Sequence, residues 1–528
     1  MSQSRKIILF LICVSMLFSS CKKEIARDAN IKKNSKSKIN IEVQERENVD
    51  KELLQVMAEG INGVFNPLFA MTEGDKTVSY PMFLPFMGMK RKMETDPQNS
   101  IVTSMSREGY SLEFEIDGNL NWWDGAPVTA QDVYFTLKVL LNKDYVGDAR
   151  RAELFYINGA KDYHNGVSNQ ISGVKIIDDK HLKINFEDFQ DSFYYAFDFR
   201  PIPVHYYQRA TIADIKTLDS HPLGNAAFKL DSWEDGNYAN LVRVDNFKFP
   251  VNLKYISIRE YDKNNNIMAE MLRGNIDALN LYEKDNSLNQ NEIKKNFDEE
   301  SVVENEIILL RISNHNGMEN IKNREDIFKS ILKYEGNDNI KVTNSLIAPT
   351  NKAFVDISFK GTKKSKENKS IPINLVYENV SYIEKVAEDL KKILSDDGYI
   401  VTLNAVNPYE LLKLSTKFIE NGRNTLVLSK FKHGYMPDFS KEFSSLCDGK
   451  YLFKDVNLDE EIFNTIVDKK SDLKDAYKLL ANDIYDQKLA IGIGSPVVRT
   501  FYRKGLKSFI NTEFMDWYEF ATWDIIWQ

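Results

Sequence analysis

Three cysteines in 528 residues are too few for a disulfide scaffold. Beyond the N-terminal segment no apolar run is long enough to cross a bilayer as a helix. No internal repeat is evident, and the one low-complexity stretch, Lys360 to Lys369, reads as an exposed loop. Positive charge is not in excess. The net charge is −8, spread evenly, which argues against nucleic acid as a partner. The sequence also lacks Gly-x-Ser-x-Gly, a Gly-rich phosphate loop with Lys, His-Glu-x-x-His and Cys-x-x-Cys. The six histidines (164, 181, 205, 221, 315 and 433) are scattered, with no pair at the spacing of helical metal ligands. The usual signs of an enzyme are therefore missing, and no cofactor or metal ion is expected.

The N-terminus is informative. Arg5 and Lys6 precede an apolar core from Ile7 to Leu17, and Ser19-Ser20-Cys21 closes it with small residues. This is the pattern of a secretory signal. The Cys after two small residues resembles a lipoprotein cleavage site, which implies cleavage after residue 20 and lipid on Cys21. An ordinary signal peptide with an incidental Cys is the bland alternative. With Cys13 removed and Cys21 acylated, Cys447 stands alone, so no intramolecular disulfide is expected in spite of an oxidising destination. Lys22 to about Asp50 is polar and charged, and reads as a solvated tether. The chain is thus expected to be extracytoplasmic and held at a membrane by its lipid.

The remainder can build cores of ample size, with 43% hydrophobic and 12% aromatic residues. Tyr110 to Ile116 alternates, with Leu112, Phe114 and Ile116 on one face, which predicts a half-buried strand. Asp124-Gly125 signals a turn. Thr129 then precedes Asp132 by three residues, so Thr129 can cap a helix whose first turn holds an acid. Val133, Leu137, Leu140 and Leu141 follow at helical spacing. From the residues alone this is a well-made strand–turn–helix junction.

Trp123-Asp124-Gly125-Ala126-Pro127-Val128-Thr129-Ala130-Gln131-Asp132-Val133-Tyr134-Phe135 also resembles, at nearly every position, the signature of extracellular solute-binding proteins of the oligopeptide/dipeptide class. These are the receptors that feed ABC importers. Further segments resemble the family in the same order: Phe65-Asn66-Pro67, the hairpin from Ile171 to Ile184, Pro201-Ile202-Pro203-Val204-His205, and Leu272-Arg273-Gly274-Asn275-Ile276-Asp277. Pro222-Leu223-Gly224-Asn225-Ala226-Ala227-Phe228-Lys229-Leu230 occupies the place of a family Gly-Thr-Gly-Pro-Tyr turn, with Ala226 and Ala227 in place of Gly and Pro. In the second half, Ile373 to Tyr377, an apolar helix face from Ile383 to Leu394 and Tyr399 to Leu403 predict a βαβ unit. Ser381 to Glu384 reads as a capping box at the start of its helix.

The resemblance implies an α/β, two-lobed periplasmic-binding-protein-like fold of the class II type, with an extra subdomain and mixed sheets flanked by helices. Its parts would be a signal at 1–20, a tether at 21–50, a first lobe at 51–310 with an inserted subdomain at about 80–219, a second lobe at 311–489, and a return to the first lobe at 490–528. The ligand would be a peptide lying extended between lobes that close by a hinge. A carboxylate would meet its terminal ammonium. Asp438, in Tyr435-Met436-Pro437-Asp438-Phe439, matches the loop that supplies this acid in the family. Asp438 fits equally a turn aspartate bonding its own backbone. With Tyr435, Trp123, Asn66 and Asn225 it makes up the expected ligand-binding set. The implied partners are a peptide, a permease and the membrane, with the chain a monomer. A non-peptide solute such as a metal chelate or sugar, or a protein partner without transport, is an alternative that the departures from the family pattern leave open.

Overall fold

A computed structural model describes residues 50–528, except 90–94, 97–98, 148, 150–151, 190, 218–219, 262–265, 283–289, 314–317, 352, 356–370, 412–423, 434–472, 510–516 and 520–521. Cys21, the tether, the Lys-rich stretch, Tyr435, Asp438 and Cys447 lie outside the described residues.

Strand β1 (Leu53–Ala58) is buried along most of its length, because it pairs in parallel on both sides and both faces are covered. Leu54, Val56 and Ala58 enter one core, and Met57 enters another on the opposite face. Helix α1 (Glu73–Ser79) starts at Thr72, whose hydroxyl accepts the Asp75 N–H. An inserted four-stranded antiparallel sheet then contains β2 (Val102–Glu108) and β3 (Ser111–Ile116), with Leu112, Phe114 and Ile116 buried as their alternation predicts. Helix α2 (Ala130–Leu141) opens with a capping box between Thr129 and Asp132. The sheet is completed by the hairpin β4 (Val174–Ile176) and β5 (His181–Asn185).

The chain returns through an antiparallel meander, β6 (Phe228–Glu234), β7 (Tyr238–Arg243) and β8 (Tyr255–Glu260). Helix α3 (Ile267–Leu272), β9 (Ala278–Leu281) and β10 (Phe297–Val303) complete the first lobe's run. Two residues later β11 (Glu306–Ile312) begins the second lobe, with all seven residues buried. Then come α4 (Ile321–Ile331), β12 (Ile340–Val342), β13 (Pro372–Glu378), α5 (Ser381–Asp396), β14 (Ile400–Val406), β15 (Asn424–Lys432) and α6 (Leu473–Asp486). The predicted βαβ unit is β13–α5–β14, its strands parallel. Helix α5 buries Tyr382, Ile383, Val386, Ala387, Leu390 and Leu394, the face expected from their spacing. The capping box expected at its start is not there. Val380 is the N-cap and Ser381 is already inside the helix, with its N–H and hydroxyl taken by Glu59 of the other lobe.

The last long strand, β16 (Ala490–Arg503), belongs to both lobes. Its first half pairs with β11 and β12, its second half with β10 and β9. The main sheet therefore runs β14-β13-β15-β11-β16-β9-β1-β8-β7-β6 through the whole molecule. Among the described residues three cores lie along it: one from Leu54 to Ala278 that Trp517 and Trp527 join, one from Ile307 to Ile493, and a smaller one around Met57, Met271, Phe297 and Phe501. Among the described residues, no helix is long and apolar enough to cross a membrane.

Candidate functional site

The loop between β1 and α1 is held by carboxylates. Glu260, at the end of β8, accepts the N–H groups of Gly60 and Ile61, each at 2.7 Å. Asp75 accepts the Asn62 N–H at 2.8 Å, and Gly74 donates to the Glu59 carbonyl. Gly63 sits at φ +79°, and a Cβ there would overlap the Trp233 ring. This frame fixes Glu59 at the lobe junction. Its carboxylate accepts the Ser381 N–H at 3.2 Å and the Ser381 hydroxyl at 3.3 Å. A negative charge thus meets the positive end of α5, supplied by the other lobe. Beside this contact is a narrow cavity lined by Glu59, Glu73, Tyr261, Asn280 and Tyr282 of the first lobe and Ser381 of the second.

The second lobe brings more charge to the junction. Glu306 opens β11, Glu378 ends β13, and Lys430 lies near the end of β15. The Lys430 ammonium is 3.6 Å from Glu306, and the Lys430 N–H donates to Glu378 at 3.3 Å. The Tyr382 hydroxyl donates to Glu306 at 2.6 Å, and its ring stacks on Tyr282 at 4.7 Å. Tyr282 in turn donates to Glu304 at 3.1 Å. Burial pushes the Glu378 carboxyl up to about 7; Lys430 offsets part of this and Glu306 adds to it. Burial also raises Glu59, against the Ser381 N–H and Lys430. For Lys430, burial alone would lower the pKa, but the carboxylates of Glu306, Glu378, Glu304 and Glu73 outweigh it and raise it. Among the described residues, Glu59, Glu306 and Glu378 gather here around the Lys430 ammonium, with Lys76 within electrostatic reach of Glu378.

A second group of charges lies close by. Lys432, at the end of β15, is 3.6 Å from Glu519 of the first lobe. The Arg200 guanidinium lies 3.7 Å from the centre of the Tyr80 ring, and its Nε–H donates to the Phe83 carbonyl at 3.2 Å. Tyr518 packs edge-on against Tyr80 at 5.6 Å. Burial lowers the Lys76 pKa, and the nearby Lys432 and Lys430 lower it further.

Of the residues singled out from sequence, Trp123 and Asn225 meet at one turn. The Trp123 indole donates to the Ala226 carbonyl at 3.1 Å, and the Asn225 side-chain oxygen accepts the Leu84 N–H at 2.9 Å. Gly224 is required there, since a Cβ would overlap the Met82 carbonyl and the Trp123 ring. Asn66 is fully buried in a turn of its own, its side-chain oxygen accepting the Leu68 N–H at 3.1 Å. The side-chain nitrogens of Asn66 and Asn225 are buried without a hydrogen-bond partner. Glu59, Ser381, Glu378, Lys430 and Arg200 were not singled out. One signal for Glu378 was available: it ends a strand of a βαβ unit, the edge at which α/β sheets place their ligands. Among the described residues, no group of three or more His, Cys, Asp or Glu could hold a metal ion.

Comparison with known proteins places the chain. The family model for bacterial extracellular solute-binding proteins, family 5 (middle region), matches residues 96–411, more than half of the chain. The oligopeptide-binding protein OppA of Bacillus subtilis is 26% identical over 200 residues, which are 37% of this chain and 34% of that protein. The aligned stretch thus spans about a third of that relative's own length. Among solved structures, AppA of Bacillus subtilis, determined with a nonapeptide, superposes with a TM-score of 0.72 at 16% identity, covering 90% of this chain and 99% of that one. The murein tripeptide-binding protein MppA of Escherichia coli gives 0.75 at 15% identity, covering 91% and 99%. The fold is therefore the two-lobed one of these binding proteins, and the chain belongs to the bacterial extracellular solute-binding proteins of family 5.

Proposed function

We propose that this protein captures peptides between its lobes and delivers them to the permease of an ABC importer, working as a lipid-anchored monomer outside the cytoplasmic membrane. The observation that carries the reading is the lobe junction of this fold, where polar side chains of both lobes meet, Glu59 of the first on Ser381 of the second. Such a junction is complete only when the lobes are together, so a guest held there favours closure. The names of the relatives, oligopeptide-binding OppA and AppA solved with a nonapeptide, support the ligand class.

In this reading the peptide lies extended, Asp438 meets its terminal ammonium, and Tyr435, Trp123, Asn66 and Asn225 contribute to the cleft. Apolar burial would supply about 25 cal/mol per Å². One charge-assisted hydrogen bond would add about 1.5–3 kcal/mol. The lipid on Cys21 would keep the receptor beside its permease. The test is thermal unfolding of the full chain, first unfolded and refolded to strip carried-over ligand, against di- to octapeptides. Binding to the native state raises the midpoint. A rise for peptides of one length range is expected, and it should shrink in Asp438→Asn. No rise with any peptide overturns the reading.

A further inference from the structure

Glu378, at the end of β13, is 4% exposed. Among the described residues it accepts one hydrogen bond, from the Lys430 N–H at 3.3 Å, and no ammonium or guanidinium lies within ion-pair distance of it. The Lys430 ammonium is 3.6 Å from Glu306, which also takes the Tyr382 hydroxyl at 2.6 Å. Lys430 thus makes its ion pair with Glu306 and gives Glu378 only a backbone N–H. A carboxylate so placed loses its hydration and gains little in return, and it sheds that cost by taking up a proton.

The charged and titratable groups that face Glu378 come from four elements. β15 supplies Lys430, β11 supplies Glu306, α5 supplies Tyr382, and α1 of the first lobe supplies Lys76. Burial holds the Glu378 carboxyl up at about 7; Lys430 and Lys76 work against this and Glu306 adds to it. Beyond them, Glu59, Glu73 and Glu304 act on Lys430. Part of the cover belongs to the other lobe. Glu59 of the first lobe sits on Ser381, three residues beyond Glu378. The ring of Tyr282, also of the first lobe, stacks on Tyr382, the residue that bonds Glu306.

We propose that closing the lobes takes up one proton from solvent on Glu378, so that acid favours the closed receptor and alkali the open one. The inference rests on the proposed function for the opening and closing of the lobes, and not for what they capture. Opening withdraws Glu59, Tyr282 and Lys76 and lets water into the pocket. Glu378 then ionises, and its proton returns to solvent. Linkage sets the sign, because a proton held more tightly by the closed form shifts the population towards that form. The bias towards closure is complete below the ordinary value of 4.5 and is lost as the pH rises through about 7. By the same linkage, a ligand that closes the lobes binds more tightly at low pH.

The experiment is small-angle scattering of the full chain between pH 5 and pH 8, after unfolding and refolding to strip carried-over ligand. The wild-type radius of gyration should be smaller at pH 5, through a rise of about tenfold or more in the ratio of closed to open forms. Glu378→Gln, which keeps the shape and the donor of the protonated acid, should give the small radius at both ends of the range. Equal wild-type radii at pH 5 and pH 8 overturn the proposal, and so does a pH dependence that survives in Glu378→Gln. Should that variant fail to fold, Glu306→Gln decides. Without the Glu306 charge, Lys430 is left to favour the ionised form of Glu378, so the midpoint of the change should fall by about one pH unit. An unmoved midpoint overturns the proposal. Because no ligand is added, a failure of the peptide reading leaves this result untouched.

Discussion

Asp132 accepts more hydrogen bonds than the first turn of a helix requires. One oxygen takes the Thr129 N–H at 2.8 Å and the Trp122 indole at 3.2 Å, and the other takes the Val204 N–H at 2.8 Å. This one side chain ties together the turn, the helix and the Pro201–His205 segment. Asp124 repeats the pattern at the surface, 2.8 Å from the His205 Nε2. Asp132→Ala leaves three donors unpaired, the buried Trp122 indole and the partly buried Thr129 and Val204 N–H groups, and should cost about 3 kcal/mol. Trp122→Phe removes one of those donors along with its bond and should cost about 1 kcal/mol. Urea unfolding midpoints at unchanged slope would check both, and a loss of under about 1 kcal/mol for Asp132→Ala would sink this account. Spacing along the chain predicts the Thr129–Asp132 box because its partners are three residues apart. It says nothing of Val204, which is 72 residues away.

Among the elements, α5 shows the same limit more sharply. Ile383, Val386, Leu390 and Leu394 fix its buried face, and local periodicity is enough to predict it. Its N-terminus is another matter. Ser381 and Glu384 have the spacing of a capping box, but the carboxylate at that end comes from Glu59, 322 residues earlier. A tertiary partner displaces a local one when it brings a full charge to the helix dipole. Glu59→Ala should therefore cost about 1 kcal/mol, the usual worth of a lost cap. It should also loosen the junction. Small-angle scattering of the ligand-free variant is expected to show a larger radius of gyration than the wild type. An unchanged radius would mean that Glu59 caps α5 without holding the lobes. The site is less legible than the fold for the same reason: Glu59, Ser381, Glu378 and Lys430 are ordinary residues in their own segments. Strand pairing within the second lobe brings Glu378 and Lys430 together, and the packing of one lobe on the other adds Glu59.

For the molecule as a whole, the buried carboxylates make stability depend on pH. Glu378 is held at about 7, against an ordinary value of 4.5, because burial disfavours its charge. In the folded state it keeps a proton that the unfolded chain releases above pH 4.5. Its contribution is therefore present at low pH and is lost as pH rises towards 7, by up to about 3 kcal/mol. Glu378→Gln removes this titration. The stability difference between wild type and variant should fall between pH 5 and pH 7.5, and a flat difference in urea unfolding across that range would contradict the assignment. Two lobes could be anticipated from the order of family-like segments, since each segment carries its own strand or helix pattern. The continuity of the sheet could not, because it depends on a strand whose two halves have different neighbours.

That strand, β16, has a further consequence. Its residues pair with second-lobe strands up to Pro496 and with first-lobe strands from Val497 onward. The register shifts once opposite Ile308 and Leu309; from Gly494 onward side chains alternate with period two, so each lobe's inside is phased to the other's through a single run of backbone. One residue inserted after Pro496 would turn one lobe's half of the strand inside out, whereas two inserted residues would restore the phase. The odd insertion is expected to lower the melting temperature far more than the even one, an ordering opposite to that of loop length. The lobes are not beads on a string; along β16 they share one parity, and this strand can lengthen between them only in pairs.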